Sequence, residues 1–226
     1  MNSKINELEN KKLFSSWSGG KDSCLALYRA IRSGGIPTRL LTMFTTNGER
    51  SRSHGLSREV ILAQSDALAI PLIVRNASWD SYEDVFTQTL VELQGAGIEY
   101  GVFGDIDLEP HREWVEKVCA TAGITPLLPL WQTARRQLLT ELLAAGFKAI
   151  IVAIKDSLLD RSFLGRQLDH ELLAELENIG IDACGEKGEY HSLVVDGPIF
   201  KHQLAIRTGA IVNHDGYSFL DIQLAD

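Results

Sequence analysis

Cysteine is scarce in this chain: Cys24, Cys119 and Cys184 are few, far apart and odd in number, so a disulfide framework is excluded as the basis of the fold. Neither a Cys-x-x-Cys pair nor a His/Cys cluster with zinc spacing occurs, and no metal-centred chemistry is encoded locally. Long apolar runs are also missing, and none approaches a bilayer span. The polar stretch 1–12 lacks the apolar core of an export signal. Together these absences predict a protein of a reducing, cytoplasmic compartment with no membrane attachment. Positive charge is in deficit, with 22 Lys and Arg against 30 Asp and Glu and a net charge of −8. That balance argues against a dedicated nucleic-acid binder, while leaving room for a local basic patch. There is no internal repeat or low-complexity segment. At 226 residues and 45% hydrophobic, the chain suffices for one domain or two small ones.

The most informative segment is Ser18-Gly19-Gly20-Lys21-Asp22-Ser23, which follows the short apolar run Leu13–Trp17. A strand that ends in two glycines and opens into a helix makes an anion site. Backbone N–H groups close around oxygens that a side chain would block, and the helix N-terminus adds its positive end. Two look-alikes fail. A Walker A loop would need glycine at Ser15 and a hydroxyl residue at Asp22, and a dinucleotide fingerprint would need spaced glycines and a third one.

Short apolar runs alternate with helical periodicity through the first half. Leu13–Trp17, Leu40–Thr45, Pro71–Val74 and Tyr100–Phe103 read as strands. Between and after them lie a helix carrying Cys24, Leu27, Tyr28 and Ile31 and stopped at Gly34-Gly35, a helix over Leu56–Ala69, and another over 80–94. The last of this series has Pro110 in its first turn and shows Trp114, Val115, Val118, Cys119 and Ala122 on one face. Such alternation predicts a parallel sheet covered on both sides. After Pro126 and Pro129 the texture changes. A helix over Thr133–Ala145 precedes a buried strand at Ala149–Ile154 and a stripe of Leu168, Leu172, Leu176 and Ile179. Strands are then predicted at Ser192–Val195, Gln203–Val212 and Tyr217–Leu224, with His214-Asp215-Gly216 turning an antiparallel hairpin. A smaller α+β domain over 130–226 is predicted to follow a nucleotide-binding domain over 1–129.

The Ser18–Ser23 loop resembles the pyrophosphate-binding loop of the ATP pyrophosphatases. A second segment, Cys184-Gly185-Glu186-Lys187-Gly188-Glu189-Tyr190 continuing through Val194–Phe200, narrows the resemblance to the diphthine–ammonia ligase family. Further matching stretches are Gly104-Asp105-Ile106 leading into Arg112, Glu116 and Cys119, Pro129-Leu130-Trp131, Leu164-Gly165-Arg166 with Leu168-Asp169, and Ala69–Leu72. The resemblance implies an adenine nucleotide alpha hydrolase-like fold, an open five-stranded parallel sheet in the order 3-2-1-4-5. It implies ATP with Mg2+, ammonia and a carboxylate as reactants, and AMP and pyrophosphate as products. In archaea and eukaryotes the carboxylate belongs to diphthine on elongation factor 2.

By the same resemblance Ser18, Gly19, Gly20, Lys21 and Ser23 hold phosphate. Gly104 and Asp105 lie beside the loop at the switch point of the sheet, and Met43 and Phe44 present backbone to adenine. Asp22 is open between helix cap, loop support and Mg2+ ligand, and Asp105 between Mg2+ and a turn. Gly185, Glu186, Gly188, Glu189 and Tyr190 are implied to bind substrate, with Glu186 or Glu189 as a base for the amine or as a recogniser of a cation. A solvated acidic loop is the plain alternative. His54 is either a lid or nucleotide contact, or a surface histidine. Cys184 alone among the cysteines has a plausible site role, with a structural role as the plainer reading, and Cys24 lies on a buried helical face near the loop. Two other functions fit the loop: a tRNA-modifying adenylating enzyme, which would want a sulfur-carrying cysteine, and a nucleotide sensor without turnover.

Overall fold

The computed structural model describes residues 8–52 and 54–225. Residues 1–7, most of the segment read as lacking an export signal, lie outside the described residues, as do Ser53 and Asp226. Two compact units emerge. One holds the chain through Ser18, Asp22–Arg52 and Ile70–Thr133, and the other holds Gly19–Lys21, the segment ending at Ala69 and everything from Ala134.

The first unit is built on a five-stranded sheet of β1 (Lys12–Ser16), β2 (Ile36–Phe44), β3 (Leu72–Asn76), β4 (Tyr100–Val102) and β5 (Thr125–Leu127). Its order is β3-β2-β1-β4-β5 and every pairing is parallel, as the family resemblance implies. Helices α1 (Lys21–Arg32), α3 (Tyr82–Gly95) and α4 (Glu109–Ala122) alternate with these strands. The middle strand is buried on both faces, with Leu13, Phe14 and Ser15 inaccessible, which is why it reads as a run rather than an alternation. Phe14, Leu41, Phe86, Leu90, Val115 and Val118 belong to one core cluster. Phe14 meets Phe103 edge to face at 5.8 Å.

Strand β5 was not legible in the sequence, where Pro126 reads as punctuation. It pairs with β4 through Gly101 and Pro126 at the sheet edge, a setting in which a residue without an N–H need not cost a ladder bond.

In the second unit β6 (Lys148–Lys155), β7 (Tyr190–Asp196), β8 (Ile206–His214) and β9 (Tyr217–Leu224) form an antiparallel sheet in the order β7-β6-β9-β8. Helices α2 (Arg58–Leu68), α5 (Arg135–Ala144) and α6 (His170–Asn178) belong to it, and α2 packs on β9. The predicted hairpin forms at Asp215 (φ 49°) and Gly216 (φ 80°), two positive values that suit a two-residue turn closed by His214 and Tyr217. The stripe on α6 is shorter than its sequence suggests. Leu172 and Leu176 are buried, but Ile179 is 53% exposed, because the helix ends at Asn178 and the cap residue leaves the helical phase. Among the described residues no helix is long and apolar enough to cross a membrane.

Candidate functional site

The glycine loop is divided between the units by its packing. In the first unit Ser18 Oγ donates to Ser23 Oγ at 3.1 Å. Gly104, just past β4, lies so close that a Cβ there would sit 3.0 Å from the Asp22 carbonyl carbon and the Ser23 nitrogen. The strand order thus brings the end of β4 against the start of α1. Asp105 faces His111, its Oδ1 3.2 Å from Nδ1. Met43 and Phe44 close β2 with buried side chains. Their carbonyls accept from Arg52 N at 3.3 Å and Ala77 N at 3.2 Å, so part of the edge expected to face adenine is engaged within the unit.

In the second unit the loop is clasped by β7 and α2. The Gly19 carbonyl accepts from Val194 N at 2.9 Å and from Gln64 Nε2 at 3.0 Å, and Gln64 Nε2 also donates to the Val194 carbonyl at 2.7 Å. Gly19 has φ +80°, and a Cβ there would lie 2.5 Å from Gln64 Oε1. Only glycine meets both demands. The Lys21 amide donates to Ser192 Oγ at 3.2 Å, so one of the amides expected to face phosphate is held by β7. His54 packs on Gly20, with Nε2 2.5 Å from where a Cβ would be.

The two sequence signatures meet at the Lys21 side chain. Its ammonium lies 3.8 Å from Glu186 Oε1, with side-chain exposures of 7% and 15%, and 5.6 Å from the centre of the Tyr190 ring. The ring is fixed by its own hydroxyl, which donates to the Ala183 carbonyl at 2.5 Å. Gly185 lies flush against it, since a Cβ there would be 3.0 Å from two ring carbons. Asp182 supports the segment by accepting from Cys184 N and Glu186 N, and it pairs with Arg135. Glu189 turns inward, 4% exposed, and its Oε2 accepts from Lys187 N at 2.8 Å. Of the two acids, Glu186 is the one beside the lysine. Gly188 adopts φ +77° near the Tyr217 hydroxyl.

His54 is half-buried. Its ring stands 4.8 Å from that of His191, which lies 6.4 Å from Tyr217. Among the described residues His54 Nδ1 is buried without a hydrogen-bond partner. Burial, then His191 and the Lys21 charge, hold His54 well below the usual histidine value, and burial with the Lys21 charge lowers His191 to about 4. Both imidazoles are therefore neutral at pH 7.

Sequence reasoning missed Gln64, Ser192 and the importance of His191. The first two are ordinary polar residues on a helix and a strand, and no local pattern marks them as partners of a loop far away in sequence. The cysteines are all fully buried. Burial, with Asp22 as a lesser cause, pushes Cys24 well up, and burial takes Cys119 up to about 12. Cys184 Sγ donates to the Arg135 carbonyl at 3.2 Å.

Residues 11–126 match the family model described as the diphthamide synthase N-terminal domain, and residues 134–226 match that of the diphthamide synthase C-terminal domain. The chain belongs to the diphthine–ammonia ligase family. It is 27% identical to the diphthine–ammonia ligase of Rattus norvegicus and 26% identical to that of Homo sapiens, in each case over 91% of this chain and 86% of the relative. A solved structure from Methanocaldococcus jannaschii, described as a predicted subunit of tRNA methyltransferase, aligns at 17% identity with a TM-score of 0.45. It covers 86% of this chain and 100% of its own. Within the second unit, the Gly19–Lys21 portion of the loop packs against β7.

Proposed function

We propose that this chain is an ATP-dependent carbon–nitrogen ligase that adenylates a carboxylate and transfers ammonia to it. One carboxylate oxygen attacks the α-phosphorus and pyrophosphate leaves. Ammonia then adds to the acyl carbon, AMP departs, and the nitrogen sheds its extra proton to give the amide. In cells whose elongation factor 2 carries diphthine, that side chain is the acceptor. The reading is supported by family membership and by relatives named diphthine–ammonia ligase. The observation that carries it is the meeting of Lys21 with Glu186 and Tyr190, which puts the loop's cation and the family's second signature in one place.

Residues 1–129 then bind ATP and residues 130–226 the acceptor. Ser18, Gly19, Gly20, Asp22 and Ser23 form the phosphate loop, and Lys21 neutralises charge on the departing pyrophosphate, an electrostatic contribution that needs no covalent step from the protein. Gly104 packs closely on Asp22 and Ser23, and Met43 and Phe44 serve adenine. Gly185, Glu186, Gly188, Glu189, Tyr190 and His54 serve the acceptor and amine. A nucleotide-borne Mg2+ requires only one or two carboxylates besides phosphate oxygens, and Asp22 and Asp105 in the first unit fit that modest demand. No group of three or more His, Cys, Asp or Glu is placed to cage a metal among the described residues. Buried, high-pKa thiols favour amide formation over a sulfur-delivering tRNA reaction.

The test is incubation of the purified chain with ATP, Mg2+, ammonium chloride and diphthine-bearing elongation factor 2. AMP, pyrophosphate and the amidated protein should form in equal amounts. ADP and phosphate as the only products would refute the assignment, and tight AMP binding without turnover would favour a sensor.

A further inference from the structure

The position of the Lys21 ammonium defines a cation site whose other walls do not depend on it. Glu186 supplies a carboxylate oxygen at 3.8 Å and Tyr190 supplies a ring face at 5.6 Å, both mostly removed from solvent. Carboxylate and aromatic face together are a recognition set for an ammonium group. The set is rigid: the Tyr190 hydroxyl is tied to Ala183, and the segment bearing Glu186 is tied through Asp182 to Arg135.

Lys21 sits in a phosphate loop, so bound ATP would compete with Glu186 for its charge. Moving it toward the polyphosphate opens the place beside a mostly buried carboxylate to another cation. A lysine head group and an ammonium ion present the same charge and the same kind of N–H donors.

We propose that Glu186 and the face of Tyr190 form the ammonium-binding subsite, occupied by the Lys21 side chain until ATP draws that side chain away. The inference rests on the reading of the chain as an ATP- and ammonia-using ligase. It adds an order of events: nucleotide first, ammonium second. It also adds reciprocity, since each ligand must raise the affinity for the other by the same factor. Until it is displaced, the lysine keeps ammonium out of a site that has no activated acyl group to receive it.

Thallium(I), a heavy monovalent cation of similar size, serves as the probe for diffraction. Crystals soaked in thallium acetate with a non-cleavable α,β-methylene ATP analogue should show an anomalous peak beside the Glu186 carboxylate and over the Tyr190 ring. The same crystals without nucleotide should show none there. Lys21→Met crystals should show the peak without nucleotide. A site elsewhere, or a peak in this pocket that persists in Glu186→Gln, overturns the proposal. In solution, Glu186→Gln should raise KM for ammonium about tenfold more than KM for ATP, the factor that follows from losing roughly 1.4 kcal/mol of cation binding. Equal effects on both constants overturn it. The diffraction arm is readable even if no amide is ever formed, so failure of the ligase reading and failure of the ammonium site give different results.

Discussion

His54 and His191 pack with ring centroids 4.8 Å apart, and both are held neutral beside the Lys21 loop. A histidine whose value falls on folding contributes stability that is fully present above its unfolded value. For His191 that reference is 6.5, and the contribution is lost as the pH falls through about 4. The unfolded chain takes up protons in that window while the buried imidazole does not. The loss over the window is about 3 kcal/mol for His191, from a shift worth roughly 1.4 kcal/mol per unit. Urea unfolding at pH 7 and at pH 4.5 should show a large drop in midpoint for the wild type and a smaller drop for His191→Gln. An identical pH dependence in the two proteins would contradict the assignment.

Gly19→Ala should damage the loop in two ways. The left-handed backbone costs about 1–2 kcal/mol for a residue with a Cβ, and the new methyl would strike Gln64 Oε1, 2.5 Å from its position. Calorimetric titration with the α,β-methylene ATP analogue should therefore show binding at least about tenfold weaker, equivalent to roughly 1.4 kcal/mol. Affinity equal to the wild type would show that this part of the loop does not meet the nucleotide.

Thiol chemistry separates amide formation from sulfur delivery. Raising Cys119 from 9.0 to about 12 lowers its thiolate fraction about a thousandfold at pH 8. Cys24 and Cys184 are equally inaccessible. Folded protein should react with Ellman's reagent far more slowly than protein in urea, in which all three thiols become available. Cys184→Ala should retain AMP formation. Rapid modification of one thiol with loss of activity would revive the sulfur-transfer alternative.

How much of this was legible depends on whether the cause is local. The Ser18–Ser23 loop could be read because strand, glycine pair and helix start are consecutive, and the β8–β9 turn because Asp215-Gly216 carries its own backbone preference. Ala149–Ile154 reads correctly as a buried strand. Its antiparallel neighbours, β7 and β9, come from distant segments that periodicity cannot pair. Strand β5 is three residues long with a proline in the middle, too short for any period to register. The burial of His54 arises from His191 and Gly20, neither of which is near it in sequence. The family resemblance supplied the sheet order that residue patterns alone did not.

Gln64 and Asp169 offer a matched pair for separating loop positioning from general stability. Asp169 caps α6, its Oδ1 accepting from Leu172 N at 2.8 Å, and Asp169→Ala should cost about 1 kcal/mol, as lost caps do. Gln64 is fully buried on α2 and donates both to the Gly19 carbonyl and to the Val194 carbonyl. Gln64→Leu keeps similar bulk but removes both bonds, and should cost about 1–3 kcal/mol of stability. Their effects on ligand binding should differ in kind. Asp169 bonds the start of α6, so nucleotide affinity should survive its loss once the unfolded fraction is subtracted. Gln64 fixes the peptide between Gly19 and Gly20, and small misplacements of positioning groups are costly to catalysis. Its loss should weaken binding of the ATP analogue and slow AMP release at temperatures where the variant is fully folded. Equal binding by both variants, after correction for folding, would mean that β7 alone, through Val194 N and Ser192 Oγ, holds the loop in its working shape.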